Sequence, residues 1–453
     1  MRSLATLVLL AAACTQPALA PDEPHDSAPA QAATAKTAPA ELKPAPAVPP
    51  APACDPLSPE PFPVTASSED PPLVPIADGD RLAPFYRKVA ALLRGRARDH
   101  IRIAVYGDSN LIMDYQTGQL RRRLQGRFGD AGHGYVSVAK PWWAYHHMDV
   151  GHGSRGWTPY AVSTDPAPDR YYGLAGLTAE SLGTTSPAWA ETAPAGAPIG
   201  RTADTFEVYY LERDHPAFEL ALDGRVLAEV AKKTDGKLGV ARVETDDAAH
   251  RLEVRPRGNV RVFGIALERR ASPPSFVVDS FGVGALNSRV QAMKDPDLEA
   301  AMLRQRAYDL VVFHTGHNDG FTHRETPAAM ASILALHRRA LPDAPILILT
   351  PADRGDTDTF VFTRIAVEQR RALAAEHETA LWDLWQAMGG RRSMSRFKHR
   401  RLALSDFTHF NEPGGAWVGD HLLEALWRDL ARYLALHPDA GCEPAEASAS
   451  AAR

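Results

Sequence analysis

"IAVYGDSNLIMDYQTGQLRRRLQGRFGDAGHGY", Ile103–Tyr135, starts as an unbroken apolar run and stops at Gly107. It then continues with Leu120, Leu124 and Phe128 at helical spacing. The pattern predicts a buried strand over Ile101–Tyr106 and an amphipathic helix from about Leu111 to Phe128. A strand that leads straight into a helix is half of a strand–helix–strand unit, and such units build parallel sheets covered on both faces. Ser109 stands at the join. It is either a cap for the helix that follows or a hydroxyl held at the carboxyl end of a strand, where open α/β sheets bind their ligands.

Further on, the same alternation returns. "SFVVDSFGVG" (275–284), "YDLVVFHTGHND" (308–319), "APILILTPAD" (344–353) and "TALWDLW" (379–385) read as four more strands. Helices are expected between and after them, over Pro327–Ala340, Thr363–Glu376 and Pro413–Leu434. The first strand is preceded by a helix containing Leu92 and Leu93. Between the two α/β stretches, 151–270 changes character. "FEVYYLER" (206–213), "FELALDGRVLAEV" (218–230), "HRLEVRP" and "VRVFGIALER" are short alternating runs, and Asp223-Gly224 is a hairpin turn. Repeated short strands of this size predict a jelly-roll-like β-sandwich inserted into one α/β domain. The expected fold class is therefore a flavodoxin-like three-layer α/β domain, 72–150 and 271–440, interrupted by the β insertion.

The chain has 453 residues, is 45% hydrophobic and carries a formal net charge of −5. That balance argues against a nucleic-acid partner, which needs a concentrated basic face. No apolar run approaches the roughly 20 residues of a membrane-spanning helix. Arg2 followed by the apolar Leu4–Ala13 reads as an export signal. Its end, Leu10-Ala-Ala-Ala-Cys14, resembles a bacterial lipobox, with Ala11 where leucine is usual. This implies lipidation at Cys14, a signal over 1–14 and a protein anchored in the bacterial cell envelope by lipid alone. Ordinary cleavage after Ala20 is the alternative, with Pro21 against it. Residues 15–53 hold ten prolines and no aromatic residue. Such a segment buries too little to fold, so 15–71 is expected to be a disordered tether and 441–453 a disordered tail. Cys54 and Cys442 flank the folded part. In an exported chain they are expected to form a disulfide, since domain termini often lie close together.

Four loops gather at the carboxyl ends of the strands: Gly107-Asp108-Ser109-Asn110, Gly282-Val283-Gly284-Ala285, Gly316-His317-Asn318-Asp319 and, before the last helix, Asp406-Phe407-Thr408-His409. They supply a hydroxyl, backbone donors beside small residues, an amide, and an imidazole with a carboxylate. Those are the parts needed for acyl transfer. The four blocks, in this order, resemble those of the SGNH (GDSL-type) hydrolases. The resemblance covers about 72–150 and 271–440. It implies Ser109 as nucleophile, His409 as general base and acid, and Asp406 as the carboxylate that orients the imidazole. It also implies an oxyanion hole from the backbone N–H groups of Ser109 and Gly284 and the side-chain amide of Asn318. The second block departs from the usual Gly-x-x-Gly-Ala, which leaves Gly282 as an alternative to Gly284. Asp108 and Asp319 read as structural, and His317 as a cleft-lining residue. The triad needs no metal or cofactor. His146, His147 and His152 lack a carboxylate or thiolate at zinc-ligand spacing.

"GDAGHGYVSVAKPWWAYHHMDVGHGSRGW" (129–157) is rich in aromatic residues. Trp142, Trp143 and Trp157 are candidates for a wall that stacks on sugar rings. An SGNH domain with a β-sandwich inserted before the second block resembles the peptidoglycan O-acetylesterases, as does "FGDAGHGY". There the insertion looks like a carbohydrate-binding module. The resemblance implies deacetylation of a cell-wall sugar, with an acetylated polysaccharide as partner. Another acetylated polysaccharide such as xylan, or acetyl transfer in place of hydrolysis, fits the same residues. A glycan-binding surface lipoprotein without catalysis is the alternative of another class.

Overall fold

The computed structural model describes residues 54–64, 67–212, 217–231 and 236–442. Cys14, the signal over 1–14 and the tether over 15–53 lie outside them.

Five strands form one parallel sheet: β1 (Ile101–Gly107), β2 (Phe276–Gly282), β3 (Leu310–His314), β4 (Ile346–Leu349) and β5 (Ala380–Trp382). Their order is 2-1-3-4-5 and every pairing is parallel. This is the flavodoxin-like doubly wound order. Side chains alternate across a strand, so β1 feeds two cores. Ile101, Ile103 and Val105 pack with Tyr86, Leu120, Leu124, Leu423 and Leu426. These come from helices α1 (Ala83–Leu93), α2 (Tyr115–Phe128) and α6 (Glu412–Leu436). Ala104 and Tyr106 enter the other core with Leu303, Met330, Leu334 and Leu373. Those residues belong to α3 (Pro296–Arg306), α4 (Thr326–Ala340) and α5 (Val361–Glu376). The layers are thus helix, sheet, helix, as the alternation of strand and helix predicts. Among the described residues no helix is long and apolar enough to cross a membrane.

The insertion is a pair of antiparallel sheets. One contains Leu238–Ala248, Ala203–Leu211, Arg261–Glu268, Leu177–Glu180 and Thr158–Ala161; the other contains Val150–Ser154, Ala188–Thr192, Arg251–Pro256, Phe218–Leu222 and Arg225–Val230. The turn at Asp223-Gly224 has positive φ at both residues, 51° and 83°, as a two-residue hairpin requires. The sandwich begins earlier than 151. Gly134–Val136 pairs with Leu267–Ile265, and a three-residue strand is too short to show alternation in a sequence.

The expected tether also needs correcting within 54–71. Phe62 is buried and meets Trp427 edge to face at 4.7 Å, with the Arg127 guanidinium 3.5 Å from its ring centre. Arg127 donates to the carbonyls of Glu60 and Pro61, and Arg123 to that of Pro63. Asp70 accepts from Arg400 at 2.7 Å and Trp417 Nε1 at 2.9 Å. One aromatic side chain and a row of guanidiniums dock this proline-rich stretch, which has too little periodicity to predict as an element. At the other end Gly441 packs against Ala90 and Ala91, so closely that a Cβ there would lie 2.5 Å from the Ala91 nitrogen. Cys54 and Cys442 are joined by a disulfide, which closes the fold across 388 residues of sequence.

Candidate active site

The Ser109 loop is shaped by two glycines. Gly107 and Gly282 are paired in register at the ends of β1 and β2. A Cβ on Gly107 would lie 2.6 Å from the Leu111 side chain, and one on Gly282 would lie 2.4 Å from the Leu111 carbonyl carbon. Only without those carbons can residues 108–112 fold back over the strand ends. Two successive turns follow, closed by Leu111 N–H to Asp108 O and Asp114 N–H to Leu111 O. Asp114, with φ +57°, then starts α2. The helix therefore begins at Tyr115 and not near Leu111. Ser109 lies outside it and caps nothing.

The hydroxyl is spoken for instead by an imidazole. His409 Nε2 lies 2.8 Å from Ser109 Oγ, and His409 Nδ1 lies 2.7 Å from Asp406 Oδ2. A tight turn through Phe407, at φ +52°, brings Asp406 and His409 together. In that turn Asp406 Oδ1 accepts the N–H groups of Thr408 at 2.9 Å and His409 at 3.0 Å. Partial burial works against the Asp406 charge, yet the His409 hydrogen bonds and the backbone N–H groups hold its carboxyl below the usual value. The pair remains open to solvent, with 34% of the His409 and 46% of the Asp406 side chain exposed.

At the ends of the neighbouring strands β1 and β2, the Ser109 and Gly284 N–H groups donate to nothing among the described residues. Asn318 spends one amide proton on the Leu286 carbonyl at 2.9 Å and has a second to give. Gly282 is accounted for by its packing under the loop, whereas Gly284 lies two residues beyond the sheet. A Cβ on Gly284 would come 2.9 Å from the Trp142 indole, so that ring lies against the backbone at this point.

Behind Ser109 is a network that motif reading missed. Asp108 is fully buried and accepts from Asn110 N–H at 3.2 Å and from His317 N–H and Nδ1 at 3.3 and 3.2 Å. Burial alone would raise its pKa. The adjoining His317, then His314 and the Asn110 N–H, overcome this and hold it at about 2. With its Nδ1 proton given to Asp108, His317 accepts from Asn110 Nδ2 through Nε2, at 3.4 Å. Asn110 Oδ1 in turn accepts the Phe410 N–H at 3.0 Å, next in sequence to His409. This ties the Ser109 loop to the His409 loop. His317 is thus buried behind Ser109 and does not line the cleft. Asp319 has a matching role. It accepts from Ser288 N–H and Oγ and from Arg370, tying the third block to the segment just after the second.

The aromatic stretch divides. Trp142 is half-buried beside Gly284, and Trp143 is 97% exposed. Trp157 does not belong with them: it is 6% exposed and donates its Nε1 proton to the Ser186 carbonyl, as a core residue of the sandwich. His147 and His152 are also buried, their rings 5.4 Å apart. His146 stays partly exposed against Tyr115. Among the described residues, Asp114, His133 and His147 form a group whose ligating atoms lie within 4.8 Å of one another. Asp114 is already held by Arg121 at 2.9 Å and the Met148 N–H at 3.0 Å. His133 Nε2 and His147 Nδ1 face each other at 3.1 Å. The Arg121 guanidinium supplies the positive charge that an ion would bring, so the donor set fits a buried hydrogen-bond hub better than a metal site.

No family model matches the chain, and no curated protein does. Among solved structures, a peptidoglycan O-acetylesterase matches with a TM-score of 0.63 at 23% identity, over 78% of this chain and 97% of that one. The chain accordingly shares the fold of that structure, a parallel α/β sheet domain with an inserted β domain. A family two carbohydrate esterase from Clostridium thermocellum (11% identity, 61% of this chain and 97% of that one, TM-score 0.22) and a GDSL-like lipase from Bacteroides ovatus (11%, 60% and 95%, 0.22) also match.

Proposed function

We propose that the protein is an exported serine esterase that removes O-acetyl groups from a cell-envelope polysaccharide, with peptidoglycan as the substrate, through an acyl-enzyme on Ser109. The observation that carries this reading is the unbroken hydrogen-bond line from Asp406 through His409 to Ser109 Oγ, beside backbone donors with no other partner.

The chemistry follows from the atoms. A serine hydroxyl is a weak nucleophile until a base takes its proton. His409 Nε2 takes it as Ser109 Oγ attacks the acetyl carbonyl carbon. The charge that develops on the carbonyl oxygen is met by the Ser109 and Gly284 N–H groups and the free Asn318 amide proton, fixed in place before the reaction. His409 then protonates the leaving sugar oxygen as the carbon–oxygen bond breaks. Asp406 keeps the imidazole in the tautomer that accepts at Nε2 and favours its charged form in between. Water, activated by the same imidazole, releases acetate. The Cys54–Cys442 disulfide supports an oxidising compartment outside the cytoplasm.

The test is acetate release from O-acetylated peptidoglycan by the purified protein, with its Ser109→Ala form as blank. Release by the wild type alone is expected. Release from acetylated xylan but not from peptidoglycan would redirect the assignment to another polysaccharide.

A further inference from the structure

The sheet order sets out the site along a line. Across the carboxyl edge come Gly284 after β2, Ser109 after β1, Asn318 after β3 and the loop 351–360 after β4. Trp142 and Trp143 stand at the first end. At the other end is an aromatic cluster that the reaction does not use. Phe321, Phe360 and Phe362 have ring centres 5.0, 5.4 and 5.8 Å apart. Phe321 is 54% exposed and the adjoining Val361 50%. Apolar groups of this size grouped in water call for a partner.

The cluster is built into the catalytic loops. Phe321 follows Asn318 by three residues in a 3₁₀ turn, Asp319–Thr322. A Cβ on Gly320 would lie 2.3 Å from the Phe362 carbonyl oxygen, so the turn is pressed against α5. The 351–360 loop is held to the histidine loop by Gly355 N–H donating to the Phe407 carbonyl at 3.0 Å. Arg354 from that loop lies 5.2 Å from the Phe360 ring centre and 5.9 Å from that of Phe321. Asp358 in the same loop is gripped in bidentate fashion by Arg391, at 2.6 Å twice. Among the described residues Arg354 forms no ion pair. A guanidinium settled against aromatic rings keeps its in-plane donors, whose fork matches a carboxylate.

We propose that Phe321, Phe360, Phe362 and Arg354 form a distal subsite for an acidic glycan. The rings take the apolar face of a sugar, and Arg354 takes a carboxylate carried by that sugar or by a peptide attached to it. From β2 to β4 is three strand spacings, about 14 Å, which suits an oligosaccharide lying across the nucleophile and not a single sugar. The subsite rests on the esterase reading for its catalytic consequence but not for binding, and the two are tested apart.

Full-length Ser109→Ala protein is titrated calorimetrically with a muramic-acid-containing tetrasaccharide and with chitotetraose, which has the same backbone without the lactyl carboxylate. The acidic sugar is expected to bind the more tightly. Phe321→Ala is expected to weaken both about tenfold, and Arg354→Ala to weaken the acidic one alone, about threefold to tenfold and less at high salt. On the Ser109-intact protein, the ratio of kcat/KM for O-acetylated peptidoglycan to that for 4-nitrophenyl acetate is expected to fall about tenfold in Phe321→Ala. Equal binding of both sugars with no Arg354 effect overturns the acidic specificity. Binding and rate ratios indifferent to Phe321 overturn the subsite. Intact sugar binding with no acetate release by the wild type leaves the subsite standing and defeats the esterase reading.

Discussion

Two acid–histidine pairs flank the same serine loop, and only one of them meets the serine hydroxyl. His409 and Asp406 meet at 2.7 Å in solvent, with the imidazole aimed at Ser109 Oγ. His317 and Asp108 meet at 3.2 Å in the interior, at most 2% exposed, with the second imidazole nitrogen turned to Asn110. The residue types are identical. What differs is where the free nitrogen points and whether a substrate can reach it. The buried pair fixes the loop whose serine the exposed pair meets.

That contrast can be broken by experiment. The largest effects are expected at the exposed pair and its serine. Ser109→Ala and His409→Ala should each cost about 10⁵-fold or more in kcat with the melting temperature kept within a degree or two. His317→Gln should do the reverse, lowering the melting temperature by several degrees while losing at least a hundredfold less activity than His409→Ala. Steady-state kinetics and thermal unfolding on the same preparations decide it; a His317 variant as dead as His409→Ala and still stable would make the buried pair catalytic.

Next in size are the supporting groups. Asn318→Ala should lose about 10²- to 10³-fold in kcat, as the loss of one oxyanion donor does. Asp406→Asn should fall between that and the loss of His409. If Asn318→Ala affects KM alone, the oxyanion role is wrong.

The buried pair should show itself in acid instead. The Asp108 carboxyl, at about 2 when folded against 3.8 as its ordinary value, favours the folded state above pH 4, and that contribution is lost as pH falls through 2. The shift amounts to about 2 kcal/mol. Buried His147 and His314, each held at about 4 by burial, act earlier. Their unfolded forms take up protons first, so stability falls as pH drops from about 6.5 to 4. Urea midpoints at pH 7, 5 and 3 should therefore decline in two stages, and Asp108→Asn should flatten the second alone.

The smallest effect is expected at Trp143. Being 97% exposed, its replacement by Ala should leave stability untouched and raise KM for the polymer by about twofold to fivefold, as one lost stacking contact would. Equal kinetics on polymer and on a small acetyl ester would remove Trp143 from the substrate path.

Much of this was legible in the chain because it is local. A buried strand such as Ile101–Gly107 shows as an apolar run, a hairpin shows as Asp223-Gly224, and the four loops sit directly after strands that can be recognised. The helix after Ser109 starts four residues later than its sequence predicts because Leu111 and Ile112 are apolar for a tertiary reason: they cover the ends of β1 and β2. Phe62 looks like a stray aromatic in a proline-rich arm until Trp427, 365 positions on, is beside it. Trp157 and Trp143 look alike in sequence, and only the fold sends one into the sandwich and the other into water. The Asp108–His317–Asn110 network and the Asp114–His133–His147 hub join residues from separate segments, and no spacing announces them.

The most direct test of the central claim is to look for the acyl-enzyme itself. The protein is mixed with an activated acetyl ester, quenched in acid within milliseconds, digested and examined by mass spectrometry. One acetyl group is expected on the peptide carrying Ser109, absent from Ser109→Ala and formed at least as fast as acetate is released. Turnover with no acetyl on Ser109, or with the acetyl on another side chain, would contradict it.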